Sequence, residues 1–204
     1  MDYCNISQIM KKVILLLLFS SLFSLHGAEA QRFKGSAVFG LNLCQIDGDE
    51  IAGFSKLGLT GGFKLAYPLK ENVDLNVEML YSQRGSTTGF GFGNSDENYT
   101  DLQYISLPVY VNIKDWFMED DDYHKVKAHA GLSYGYLFAV DSSNGILSND
   151  ISTYRRHNIS YLLGVNYAFN SRLGLTVRYT RALNSLVSLR AISYFITVRT
   201  EYTF

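Results

Sequence analysis

From residue 33 onward, apolar and polar residues alternate with a period of two through most of the chain. Eight segments carry the pattern: 33–43, 57–67, 73–84, 102–114, 125–140, 157–169, 173–183 and 190–204. In the first, Phe33, Ala37, Phe39, Leu41 and Leu43 share one side. In the fourth, Ile105, Leu107, Val109, Val111 and Ile113 do so. Residues that repeat every second position fall on one face of a strand, so the pattern predicts eight β-strands rather than helices. The opposite face is polar. It carries Lys34, Ser36, Asn42, Lys64, Asn76, Glu78, Ser82, Lys127, His129, Arg178, Arg199 and Glu201 among Gly, Ser, Thr and Asn.

The connections alternate in length. Those at 46–56, 85–101, 141–156 and 184–189 are long or polar, whereas 68–72 and 170–172 are short; 115–124 is the exception on the short side. An even number of strands with short turns at one end and longer loops at the other marks an outer-membrane barrel. Segments of about 9–11 tilted residues suffice to cross a bilayer. A soluble ligand-binding barrel of eight strands would invert this pattern, with an apolar lumen and a charged exterior. Here the polar face holds too few charges for a wetted exterior and suits a narrow interior filled by side chains. The aromatics agree: Phe33, Tyr67, Tyr167, Phe169, Tyr202 and Phe204 fall at the short-turn end, and Tyr81, Tyr136, Phe138 and Tyr161 toward the loop end. Two aromatic girdles flank the apolar band of such barrels. The expected fold is therefore an all-β, eight-stranded antiparallel up-and-down transmembrane barrel with both ends of the mature chain in the periplasm.

Composition narrows the class further. Charged residues make up 18% of 204, below the ~25% of an average soluble domain. With 47% apolar residues the chain can bury enough surface to fold. Eighteen Lys and Arg against 19 Asp and Glu argue against a nucleic-acid binder. No stretch approaches the ~20 apolar residues of a spanning helix. The longest apolar run, 13–25, follows Lys11 and Lys12 and precedes Ala28-Glu29-Ala30. Basic start, apolar middle and A-x-A site are the parts of a secretory signal peptide. Residues 1–30 are thus expected to be removed near Ala30, leaving 31–204 as one barrel domain. Met10 is an alternative start to Met1. Removal of Cys4 leaves Cys44 as a lone thiol, which cannot form an internal disulfide.

The chain ends on Phe204, with Tyr202, Thr200, Val198 and Ile196 alternating behind it. This ending looks like the signal by which outer-membrane insertion machinery recognises clients. Further stretches are Gly40-Leu41-Asn42 with Ile46-Asp47-Gly48-Asp49, Gly53-Phe54-Ser55-Lys56-Leu57-Gly58, Glu78-Met79-Leu80-Tyr81-Ser82-Gln83-Arg84-Gly85, Tyr104-Ile105-Ser106-Leu107-Pro108 and Ala130-Gly131. In order and spacing they resemble the small PorT-like "porin family" outer-membrane β-barrel domain, across essentially all of 31–204. That family more often has an acidic residue where this chain has Ser106. The resemblance implies an integral outer-membrane barrel of a Gram-negative bacterium in contact with lipid, and implies no activity. Its namesake branch is associated with a cell-surface secretion system, so an envelope or secretion partner is a possible consequence.

Candidate chemistry is sparse. Lys64, Glu78, Arg178, Arg199 and Glu201 face the interior, where unpaired charge is costly, and are expected to form a structural charge network. The 68–72 turn predicts Lys64 beside Asn76 and diagonal to Glu78, and barrel closure predicts a Lys34–Glu201 pair. Arg84, Arg155, Arg156, Arg181 and Arg190 lie near strand ends at the loop side and are candidates for contact with lipid phosphates. His124, His129 and His157 lack metal-ligand spacing. Asp101 and His157 could approach one another at the outer rim, but no nucleophile motif accompanies them. Asp47-Gly48-Asp49-Glu50 and Glu119-Asp120-Asp121-Asp122 lack the spacing of a calcium loop. The glycine-rich stretch 89–93 reads as a mobile outer loop. No cofactor is expected. The function expected is that of a non-enzymatic envelope component acting through its surface loops. The alternatives are a small passive or selective pore and, behind it, a soluble-type ligand-binding barrel.

Overall fold

The computed structural model describes residues 33–48, 53–92, 98–119, 122–143, 149–187 and 191–204. The signal-peptide segment 1–30 and Arg190 lie outside the described residues. Eight strands form: β1 (Lys34–Asp47), β2 (Lys56–Lys70), β3 (Val73–Thr87), β4 (Tyr99–Met118), β5 (Tyr123–Ser142), β6 (His157–Ala168), β7 (Leu173–Ala182) and β8 (Ile192–Thr203). Each pairs antiparallel with its neighbour in chain order, and β1 pairs with β8, so the sheet closes on itself. Closure removes the unpaired strand edges that hydrocarbon cannot solvate. No helix among the described residues is long and apolar enough to cross a membrane.

Alternation decides which way the sheet faces. Phe39 is 64% exposed and Phe63 63%, whereas Glu78 is 1% and Arg199 2% exposed. Large apolar side chains point out all around the wall while charges point in, the inverse of a soluble barrel. At the turn end Trp116, Phe117, Tyr167, Phe169, Tyr202 and Phe204 form an exposed aromatic belt. Tyr167 and Phe169 meet edge to face, with ring centroids 5.4 Å apart. Lys125 joins the belt, its ammonium 5.0 Å from the Trp116 ring.

Two parts of the wall differ from the alternation reading. Residues 115–118 and 123–124 belong to strands: β4 and β5 stay paired as far as Met118 and Tyr123, past an adjustment at Trp116. Trp116 adopts φ 58°, and its N–H donates to the Asp115 carboxylate at 2.7 Å. Local hydrogen bonding by Asp115 thus absorbs the irregularity, and pairing resumes beyond it. The β2–β3 turn is also tighter than the polar run suggests. Lys70 pairs with Val73, with a register shift between Pro68 and Lys70.

Among the described residues, the loop end carries an apolar cap. Ile46, Leu102, Tyr104, Leu137, Tyr154, Leu186, Val187 and Ala191 form a buried apolar cluster. Tyr154 follows a short 3₁₀ turn, Ile151–Thr153, whose first N–H groups are capped by Asp150. The Ser152 hydroxyl, then its N–H, donates to that carboxylate and holds it below its ordinary pKa. The glycine-rich stretch is pinned as well, where described. Gly91 accepts from Leu57 N–H at 2.7 Å and donates to the Ser55 carbonyl at 3.0 Å.

Candidate functional site

The chemistry of this molecule is inside the barrel, where inward positions of eight strands stack in layers. The middle layer centres on Glu78 of β3. Its Oε2 accepts from Arg178 Nη1 and Arg199 Nη1, both at 2.9 Å. Its Oε1 accepts from Arg199 Nη2 at 2.5 Å, Arg178 Nη2 at 3.2 Å and the Tyr110 hydroxyl. Glu201 accepts from Lys64, from Arg199 Nη2 at 3.1 Å and from Thr176 Oγ1 at 2.9 Å. Arg178 Nε donates to His129 Nε2 at 3.0 Å, so the imidazole is neutral with its proton on Nδ1. The Arg178 guanidinium also lies 4.5 Å from the Tyr110 ring centre. Charges this deep are tolerable only when their lone pairs and protons are met, as they largely are here.

Small residues make room for the long ones. A Cβ on Gly40 would sit 2.4 Å from Arg199 Cβ, and one on Gly131 would sit 2.4 Å from Tyr110 Cβ. Inward glycines on neighbouring strands thus seat the arginine and tyrosine that reach Glu78.

Lys64, Glu78, Arg178, Arg199 and Glu201 are therefore brought together, with partners that differ from the expected ones. Lys64 lies directly opposite Glu78, not beside Asn76, because the β2–β3 turn is shorter than its polar run. Glu201 lies opposite Val38 on β1, and its lysine is Lys64 rather than Lys34. Tyr110, His129 and Thr176 complete the layer. Their inward parity was legible, but nothing in the sequence named their partners.

Above this layer lies Arg84, which corrects its assignment to a lipid-facing rim. It is 2% exposed and points into the lumen. Nη2 donates to Ser106 Oγ at 2.8 Å and Nη1 to Asn158 Oδ1 at 3.1 Å. Its guanidinium lies 4.4 Å from the Tyr104 ring and 4.6 Å from that of Phe195. The reason is parity: Arg84 is two residues from inward Ser82, so it shares that face. The void between this layer and the Glu78 layer is about 20 Å³, room for roughly one water.

Nearer the loop end, Lys56 is 1% exposed, 3.4 Å from the Asp101 carboxylate, and donates to the Phe92 carbonyl at 3.0 Å. Both residues were hidden in stretches that read as loop. His157 bonds the Tyr134 hydroxyl at 2.6 Å. Arg155 and Arg156 are exposed, while Arg181 is half-buried with its guanidinium 5.7 Å from the Tyr194 ring. Cys44 is buried and unpaired within β1. Among the described residues no group of three or more His, Cys, Asp or Glu is placed to hold a metal.

A closed eight-stranded barrel with an apolar exterior, an aromatic belt and a charged filling is an integral outer-membrane barrel of Gram-negative type. The Outer membrane protein beta-barrel domain family matches residues 29–188, and the chain belongs to that family. Among solved structures, the chain is similar to Neisserial surface protein A, at 14% identity and TM-score 0.54, covering 84% of this chain and 97% of that one. It is also similar to Ail, the attachment invasion locus protein of Yersinia pestis, at 13% identity and TM-score 0.48, covering 84% and 98%. The N-terminal barrel domain of Pseudomonas aeruginosa OprF matches at 12% identity and TM-score 0.43, covering 85% and 98%. No curated protein matches the sequence. At these identities the likeness shows the fold alone.

Proposed function

We propose that this chain is a non-enzymatic envelope protein of the PorT-like kind, whose barrel is a plugged anchor and whose loop end engages a structural, assembly or secretion partner. The observation that carries this reading is the five-donor cage on Glu78, which fills the lumen at mid-height. An eight-stranded wall leaves little beyond side-chain space, and here that space is occupied by mutually paired charges. Residues 1–30 act as a cleaved signal peptide, residues 31–204 form the mature domain, and Phe204 presents the C-terminal signal to the insertion machinery. Arg155, Arg156, Arg181 and Arg190 act as a basic fringe toward lipid phosphates at the loop side, without Arg84.

Two measurements test the proposal. Purified protein in planar bilayers is expected to stay at leak current, and Glu78→Ala to remain silent while the fold holds. Steady single-channel events from the wild type would favour the small-pore alternative. Crosslinking from intact envelopes is expected to trap a partner through loop-end residues such as Arg155 and Arg156. Recovery of uncrosslinked monomer alone would sink the partner reading.

A further inference from the structure

We propose that the turn-end vestibule of the barrel is a binding site for a small soluble phosphate anion, such as a phosphate monoester or pyrophosphate. A cavity of about 230 Å³ lies there, beneath the Glu78–Glu201 layer. Lys34, Lys64, Lys114 and Lys127 line it, against two carboxylates, Asp74 and Asp122. Lys114 is engaged by Asp74 at 2.9 Å and Lys64 by Glu201. Among the described residues no carboxylate is within ion-pair reach of Lys34 or Lys127.

The arrangement is costly without an anion. Lys127 stands directly opposite Lys114 in the β4–β5 ladder, and its β6 neighbour is neutral Asn166. Like charges facing one another across a ladder destabilise it. Lys34 is diagonal to Lys64, because Ser36 is the residue opposite Lys64. Four lysines from four strands thus line one space.

A second observation points to the same place. The Oδ1 atoms of Asn76 and Asn112, both lining the cavity, are buried without a hydrogen-bond partner among the described residues. A protonated phosphate oxygen supplies the donor these acceptors lack, while its charged oxygens meet the lysines. Serine and threonine hydroxyls, Ser36, Ser171 and Thr203, line the same wall. Ammoniums converging from different strands act as point charges, which suits a compact tetrahedral anion; a planar carboxylate is better met by an arginine fork. The cavity is several times the roughly 30 Å³ that one water occupies, room for phosphate and a short substituent. The charge layer above closes the lumen, so an anion entering from the turn end binds and does not pass through. The site does not depend on what the loop end engages.

The test is titration of pyrophosphate into the mature protein in zwitterionic detergent at low salt, read by calorimetry and by amide shifts. Binding in the range of about 0.1–1 mM is expected, with shifts confined to residues near Lys34, Lys114, Lys127 and Thr203. The double variant Lys34→Glu/Lys127→Glu is expected to weaken affinity by about tenfold or more. Lys125→Glu, a cation of the same end that faces outward over Trp116, is expected to leave it unchanged. If the double variant does not refold, Lys34→Gln/Lys127→Gln serves, and the wild-type shift map stands by itself. Absence of binding at about 10 mM, shifts centred on the loop end, or equal losses in Lys125→Glu would overturn the proposal. So would displacement of pyrophosphate by phosphatidylglycerol bicelles, which would make the ligand a lipid headgroup.

Discussion

Arg199 and Arg84 are buried equally deep on the inner wall of one barrel, yet different chemistry accommodates them. Arg199 is held by two carboxylates, Glu78 and Glu201. Arg84 makes no ion pair among the described residues. It lies between the rings of Tyr104 and Phe195 and donates to neutral oxygens of Ser82, Ser106 and Asn158. The middle layer is ionic and mutually dependent, whereas the upper layer is aromatic and merges into the apolar cap of Tyr104, Leu102 and Leu186. A cation can therefore be stabilised in a narrow lumen either by opposite charge or by ring faces, and the two solutions should respond differently to deletion.

The largest contrast is expected from Glu78→Ala. It takes the carboxylate from Arg178 and the Tyr110 hydroxyl and one of two carboxylates from Arg199, and removal of one partner from a buried charge set costs about 3–5 kcal/mol. Urea unfolding in lipid vesicles should show a loss of that size; a loss within experimental scatter would break the claim that Glu78 is the hub. A smaller effect is expected from Arg84→Met. Its guanidinium lies against two rings and donates only to neutral oxygens, so an apolar replacement of similar volume should change stability by roughly 1 kcal/mol in either direction. A loss as large as that of Glu78→Ala would erase the distinction between the layers. The last change, Ser106→Glu, is expected to stabilise. The Ser106 hydroxyl already meets Arg84 at 2.8 Å, so a carboxylate there would convert the aromatic layer into an ionic one. A double-mutant cycle with Arg84→Met should give a favourable coupling of about 1 kcal/mol; zero coupling would mean that Arg84 does not use this position.

Much of this is legible in the amino-acid sequence. Phe39, Phe63 and Met79 alternate with Gly40, Lys64 and Glu78, and that rhythm states both strand and face. Arg84 shows how such a reading goes astray. Its parity with Ser82 already placed it inward, but its place at the end of an alternating run suggested a rim. Lys56 reads as loop, and Asp101 as a rim acid near His157, for a different reason; the structure pairs them with each other instead. Both stand at the end of a polar, glycine-containing connection that reads as loop, although the strands extend over them. The apolar cap was also invisible. Tyr154, Leu186 and Val187 come from connections without periodicity and Ala191 from the edge of the last alternating run, and only their burial together identifies them.

By itself, then, the sequence determined the number of strands, the side of each that meets lipid and the polar character of the lumen, because alternation along one strand is a local property. The tertiary structure alone decided which interior groups meet. Lys64 and Glu201, 137 positions apart, sit on strands that are not neighbours, and Arg178 reaches Glu78 from across the lumen. Strand pairing specifies adjacent residues. Contacts across the interior depend on the stagger and radius at which eight strands close, and no single strand encodes those quantities.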